Sequence, residues 1–529
     1  MKRNRSSLGI SFTNVKPLQI AEVARDSGIR MEELRLFGNY KAKVSLRLME
    51  RIQARPNGKL IVVTSMTPSP RGEGKTVVAI ALTEALALLK KRVMLCFGQP
   101  SPGPLFNRRG GSVGAGYAQL LPGDEINFHF TGDFHAAQSA ANFLASVVDN
   151  HRRRGNAFHI DPAAVFWRRA TDAPDAGDDN SASYEPVAAS EIISILALSK
   201  SLADLKLRLA RIVVALSKDG KPVTALDLKA AGPLALLLRE AIEPNLVQTL
   251  DGQPCLVHMG PGDEAALGSP STVAIQMASR LADYVIVETA YGTDTGLQKF
   301  FDIAAPAAGV EPHAVVLVAT IRALKAQGYE NLERHVANVR AYGIEPIVVL
   351  NRFADDAEAD LRHFTDYLRM KQIESVSAQP VQKGGEGALE LGEALLKTLT
   401  RKTSGFKPAV AASLDAWEKC RAIARTVYGA ADAHMSPQAK RELEICDKLG
   451  LKSAPLNVVK TPYSLSDDPA RKGAPHGWTL EVSGFRPQTG AGLVAAFAGV
   501  RKTSEETLTE TEPGRFDIDD TGKMLETAP

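Results

Sequence analysis

The segment Pro68-Ser69-Pro70-Arg71-Gly72-Glu73-Gly74-Lys75-Thr76 constrains the chain more than any other. An apolar, β-rich run over 59–66 precedes it and predicts a buried strand, while the Ala- and Leu-rich run over 76–90 predicts a helix. Glycines between a strand and a helix let backbone N–H groups turn toward phosphate oxygens at a helix N-terminus, where the dipole favours negative charge. In that arrangement Gly72 and Gly74 shape the loop, Lys75 reaches the β- and γ-phosphates, and the Thr76 hydroxyl ligates Mg²⁺. The common form of the motif has a glycine where this chain has Ser69, so the loop is a variant. The bland alternative is a chance Gly-Lys-Thr, and the flanking strand and helix weigh against it. The expected ligand is ATP.

The alternation continues downstream. Apolar runs over 92–97, 284–288, 314–320 and 346–351 are separated by helical stretches, the pattern of a parallel sheet covered on both faces. The predicted fold is α/β: a doubly wound, mostly parallel sheet domain carrying the phosphate loop, with two smaller α/β domains. The expected boundaries are 1–135 with 270–358 for the nucleotide-binding unit, 136–269 for a second unit and 359–529 for a C-terminal unit. Residues 18–53 predict two or three amphipathic helices. A glycine-rich stretch over 98–116 begins at the end of a predicted strand, the edge at which open α/β sheets bind ligands.

Charge narrows the function. Against 63 basic residues stand 60 acidic ones, a balance that argues for neither nucleic acid nor a membrane surface as partner. The four cysteines form no CxxC pair, which predicts a reduced protein without disulfides. The first residues lack an apolar core, and no apolar run is long enough for a bilayer, so a cytoplasmic location is expected.

Three other segments carry candidate chemistry. His129-Phe130-Thr131-Gly132-Asp133-Phe134-His135 offers a hydroxyl and a carboxylate suited to a hard cation, or else a turn whose Asp133 caps a helix over 136–148. Its histidines lack the spacing of a zinc site. Lys383-Gly384-Gly385-Glu386-Gly387 reads as an anion nest or as a plain turn before a helix. Asn351-Arg352-Phe353 ends a predicted strand, with a purine contact or a simple strand-end turn as the two readings.

Taken in order, these segments resemble the formate–tetrahydrofolate ligases. The resemblance runs from about residue 19 to about residue 519, and also takes in Gly116-Tyr117-Ala118-Gln119, Leu281-Ala282-Asp283-Tyr284-Val285 and Lys299-Phe300-Phe301-Asp302-Ile303. It implies an ATP-dependent ligase, usually a homo-oligomer, that phosphorylates formate and passes the formyl group to a tetrahydrofolate nitrogen, with Mg²⁺ and a monovalent cation. Carried over by position, Lys75, Thr131 and Asp133 are the catalytic candidates. Gly72, Gly74, Lys75, Thr76 and Phe353 are the binding candidates, Phe353 against the pterin, and Thr76 and Asp133 are candidates for Mg²⁺.

The chain also departs from the family pattern. Gly98 stands where the family has an arginine that supports the acyl phosphate, and Val381 where it has a tryptophan that stacks on folate. Gly262, Glu264 and Leu267 replace a phenylalanine, an asparagine and a histidine. These changes imply weaker folate binding and a need for another cation, with Arg71 or Arg108 as candidates. They leave open a ligase for a different small acid or amine, and a catalytically quiet nucleotide-binding relative.

Overall fold

The computed structural model describes residues 16–69, 72–100, 113–171, 184–263, 265–401, 404–499, 516–520 and 524–526. Its centre is the strand Lys59–Ser65, flanked in parallel by Tyr284–Gly292 on one side and Pro312–Ala319 on the other. The strand alternates between two apolar layers: Leu60 and Val62 pack into one, Ile61 and Val63 into the other. Burial on both faces explains why the sequence reads as an unbroken apolar run. Each such side chain contributes about 1.5–3 kcal/mol when fully withdrawn from water. The helix Lys75–Leu88 packs on one face and Thr272–Leu281 on the other.

Beyond these neighbours the sheet extends through Val93–Phe97 and Pro254–Val257 on one side, and through Ile347–Asn351 and Ser375–Ala378 on the other, all in parallel. The chain leaves Lys59–Ser65 toward one half of the sheet and later crosses to the other half. The loop after this strand therefore sits at the topological switch point, where open α/β sheets bind ligands.

Residues 18–53 depart from the helical expectation. Helices Ile20–Asp26 and Arg47–Ile52 form, but between them Leu34–Leu36 pairs antiparallel with Ala42–Val44 as a hairpin. Gly38, at φ 73°, supplies the left-handed residue of its turn. Ala42–Val44 then pairs with Asn245–Thr249, which lies antiparallel to Pro254–Val257. The main sheet thus draws strands from 245–257 and from 375–378 as well as from the segments around the loop.

Two further apolar clusters stand apart. One surrounds the helix Asp133–Arg153 and a three-stranded antiparallel sheet of Ile160–Val165, Val213–Ser217 and Pro222–Thr224. The other fills the C-terminal region beneath a four-stranded sheet, Asp432–Met435, Thr479–Gln488, Leu493–Ala498 and Leu456–Val459. All four cysteines are buried and free. Among the described residues no helix is long and apolar enough to cross a membrane.

The C-terminal region is joined to the main sheet by a wholly buried ion pair. Lys460 Nζ lies 2.7 Å from Asp294 Oδ2, and neither side chain is exposed. Its remaining protons go to the carbonyls of Thr461 and Ser464, at 3.0 and 2.6 Å, and the ammonium lies over the Tyr428 ring. Removing one member of such a pair leaves the other charge buried and uncompensated. Lys460→Met is therefore expected to lower stability by about 3–5 kcal/mol in chemical denaturation, and Asp294→Asn added to it should recover part of that loss. A single variant as stable as the wild type would contradict this account of the junction.

Candidate functional site

The described residues of the loop after Lys59–Ser65 are held from one side of the sheet, by Thr320 and Arg322 just past Pro312–Ala319 and by Asn351 at the end of Ile347–Asn351. Gly72 and Gly74 both adopt φ 72°, a conformation that favours glycine. A side chain at Gly74 would also collide with Asn351, whose Nδ2 lies 2.3 Å from the position a Cβ would take. Asn351 ends its strand and spends that amide on the loop, donating to Glu73 O at 3.0 Å. The Glu73 side chain is buried. Its Oε1 accepts from the Ser69 backbone N–H at 2.6 Å, and its Oε2 accepts from the Thr320 hydroxyl. Arg322 grips the loop from outside, donating to Gly72 O at 2.5 Å and to Ser69 Oγ at 3.2 Å. Its guanidinium lies 5.0 Å from the Phe353 ring centroid, so the ring expected to meet a pterin carries a cation on one face.

Lys75 opens the helix, with Gly74 as its N-cap. Desolvation lowers the Lys75 pKa, opposed by the charges of Glu288 and Glu73. Thr76 donates its hydroxyl to Glu288 Oε1 at 3.1 Å, while Glu288 Oε2 is buried without a hydrogen-bond partner among the described residues. Burial pushes the Glu288 carboxyl up to about 7, and Lys75 and Thr76 pull in the opposite direction. A hydroxyl oxygen beside a carboxylate with an unused oxygen is a donor set that fits Mg²⁺. Glu288 went unassigned in the sequence reading, although an acidic residue closing the run Tyr284-Val285-Ile286-Val287 was a legible signal.

Thr131 and Asp133 lie at the same edge of the sheet. Strand pairing sets Asn245 opposite Val257, at the carboxyl end of its parallel strand, and opposite Lys43 on the other side. Lys43 Nζ lies 2.7 Å from Asp133 Oδ1, both side chains being buried, and also donates to Glu243 O at 3.0 Å. Asp133 Oδ2 accepts from Asn245 Nδ2 at 2.8 Å and from Thr131 Oγ1 at 3.3 Å. Thr131 Oγ1 also lies 2.8 Å from Asn245 Oδ1. Both oxygens of Asp133 are thus engaged, one of them by an ammonium. The helix begins at Asp133 rather than at 136, and Gly132, at φ 83°, is its N-cap, so Asp133 does not cap it with its side chain.

The departures from the family pattern have a structural basis. A Cβ at Gly98 would sit 2.4 Å from Gly260 O, because Gln99 N–H donates to Met259 O at 2.7 Å and draws the two strand ends together. Tyr291, at φ 53°, donates its hydroxyl to Gly262 O at 2.7 Å and pins the same turn. An arginine at position 98 therefore has no room unless this turn moves. Val381 is half-buried, and its carbonyl accepts from Tyr117 N–H at 3.1 Å. The glycines of Lys383–Gly387 serve packing: at Gly385 a Cβ would lie 2.7 Å from Glu84 Cβ on the helix Lys75–Leu88. That segment is a short helix, Pro380–Lys383, and a 3₁₀ turn ahead of the helix Leu389–Arg401. Arg71 and Arg108 lie outside the described residues. The described residues hold no cluster of three or more His, Cys, Asp or Glu side chains that would bind a metal.

Comparison with known proteins decides the family. The family model for formate–tetrahydrofolate ligase matches residues 6–525. The chain belongs to this family. The formate–tetrahydrofolate ligase of Methylobacillus flagellatus is 39% identical over 540 aligned positions, spanning 96% of this chain and 97% of that protein. The chain is accordingly an ATP-dependent ligase of one-carbon metabolism, acting on formate and tetrahydrofolate. ATP is its nucleotide, and the family accounts for its small-molecule substrates.

The close approach at Gly98 is testable. Gly98→Ala is expected to lose about 1–3 kcal/mol of stability, the usual penalty for inserting a methyl group where there is no space. Chemical denaturation of the variant beside the wild type measures it, and identical midpoints would show that the Met259–Gly262 turn yields freely.

Proposed function

We propose that MgATP binds at the loop 67–74 and that formate is activated there as formyl phosphate before transfer to tetrahydrofolate. The observation that carries this reading is the grouping of Lys75, Thr76 and Glu288, with one carboxylate oxygen unused, on the sheet edge that also holds Thr131 and Asp133. Loop N–H groups and Lys75 hold the triphosphate. Thr76 and Glu288 hold Mg²⁺, which supplies charge neutralisation for phosphoryl transfer. Asp133, already bonded to the Lys43 ammonium, is disfavoured as a second cation ligand and instead orients Thr131 and Asn245.

In the reaction a formate oxygen attacks the γ-phosphorus and ADP leaves. The folate nitrogen then attacks the formyl carbon, phosphate departs with the oxygen that came from formate, and the nitrogen's proton passes to the departing phosphate or to solvent. Formate is a poor electrophile until that oxygen has become part of a leaving group. Gly98 brings no charge to this step, so Lys75 supplies it, with Arg322 behind the loop carbonyl that it holds. Phe353 remains the aromatic candidate for the pterin. Activation by a monovalent cation, homo-oligomeric assembly and a cytoplasmic location complete the reading by family membership.

Two variants test the site. Lys75→Ala is expected to abolish the thermal stabilisation given by MgATP and to cut turnover about 10²–10³-fold, the usual cost of losing one donor to a developing anion. A wild type that MgATP fails to stabilise would remove the basis of the proposal. The second test uses pH. Because Glu288 titrates at about 7, a proton must leave before its carboxylate can take a cation. MgATP affinity should therefore weaken as pH falls through that value, and Glu288→Gln should bind weakly with the dependence flattened. An unaltered pH profile in Glu288→Gln would place Mg²⁺ elsewhere.

A further inference from the structure

His335 lies in the middle of the helix Tyr329–Ala341, fully buried, with both ring nitrogens engaged. Its Nε2 is 2.8 Å from the Thr67 backbone nitrogen and 2.9 Å from Thr67 Oγ1. Its Nδ1 is 2.6 Å from Thr293 Oγ1. A backbone N–H can only donate, so Nε2 must carry the lone pair, and the proton of the neutral ring sits on Nδ1. Burial holds the imidazole neutral by lowering its pKa to about 4, with Lys460 and Arg334 adding to the effect and Asp294 opposing it. The ring also fits tightly: a Cβ at Gly292 would lie 3.2 Å from His335 Cε1.

Thr67 is the first residue of the phosphate loop, directly after Met66. The same threonine is reached from the C-terminal region. Asn331 Nδ2 donates to Thr67 Oγ1 at 2.9 Å and to Gly473 O at 2.8 Å. Gln327 adds two bonds to that region, donating to Tyr463 O at 3.3 Å and accepting from Gly473 N–H at 3.0 Å. On the other side of the ring, Asn338 Nδ2 donates to Thr293 Oγ1 at 3.1 Å. His335 thus separates two nearly symmetrical arms. The Thr67–Asn331 arm leads to the phosphate loop, and the Thr293–Asn338 arm leads away from it.

We propose that His335 is a positioning residue for nucleotide handling: its Nε2 fixes the entry to the phosphate loop through Thr67, and Asn331 ties the 460–473 segment to the same point. The inference rests on the reading of loop 67–74 as the MgATP site.

Glutamine and asparagine at position 335 separate the two arms. The glutamine amide oxygen reaches the place of Nε2 and can accept from Thr67, whereas asparagine reaches only the place of Nδ1. Each variant leaves one buried threonine without its partner, so both should lose similar thermal stability. His335→Asn is expected to weaken MgATP binding about tenfold or more by calorimetry, and to raise the KM for ATP more than it lowers kcat, while His335→Gln stays near the wild type. Equal dissociation constants in the two variants would overturn the proposal. Should neither variant fold, Asn331→Ala and Asn338→Ala make the same comparison: only Asn331→Ala should weaken MgATP binding, and equal or reversed effects would overturn the proposal. A wild type that does not bind MgATP would count instead against the phosphate-loop reading, and this inference would fall with it.

Discussion

The buried carboxylate of Glu73 fixes the shape of the loop between Lys59–Ser65 and Lys75–Leu88, and the proposed nucleotide site depends on that shape. It accepts from the Ser69 N–H and from the Thr320 hydroxyl, while the Glu73 carbonyl accepts from Asn351. The loop between two left-handed glycines is thereby pinned to both strands on its far side, Pro312–Ala319 and Ile347–Asn351. On the near side Glu288, from Tyr284–Gly292, meets Thr76. Three parallel strands thus converge on one turn, and preorganised donors and charges at such a point need no rearrangement during phosphoryl transfer.

The same sheet edge explains why the chain tolerates its departures from the family pattern. Val93–Phe97 and Pro254–Val257 end so close together that Gly98 sits against the Gly260 carbonyl. Gly98 therefore packs against the turn that holds Gly262, which the Tyr291 hydroxyl pins. The Lys43–Asp133–Asn245–Thr131 group lies beside the same strand end, because Asn245 pairs with Val257. Every hydrogen-bonding oxygen of Asp133 is satisfied, as a buried carboxylate requires.

Much of this was legible in the sequence, for identifiable reasons. Parallel strands buried on both faces leave unbroken apolar runs, so the central strands and the loop between Lys59–Ser65 and Lys75–Leu88 could be read directly. The Leu34–Leu36 and Ala42–Val44 hairpin was not, because its strands are only three residues long and the second carries Lys43 and follows Lys41. Their partners Glu125 and Asp133 lie far along the chain, and no local pattern announces a lysine buried by a distant carboxylate. Arg322 and His335 escaped for the same reason: each acts across long sequence separations, on Gly72 and on Thr67. The glycines of Lys383–Gly387 were visible, but what they pack against, Tyr117 at Gly384, Glu84 at Gly385 and Gln379 at Gly387, depends on tertiary contact.

The central claim is that ATP at this loop activates formate through one of formate's own oxygens. Formate labelled with ¹⁸O, supplied with MgATP and tetrahydrofolate to the purified protein, tests it most directly. Attack by formate on the γ-phosphorus, followed by displacement of phosphate by the folate nitrogen, predicts that each phosphate released carries one formate-derived ¹⁸O, with formylated tetrahydrofolate formed in equal amount. Unlabelled phosphate, or ATP turnover that does not depend on formate, would contradict the account.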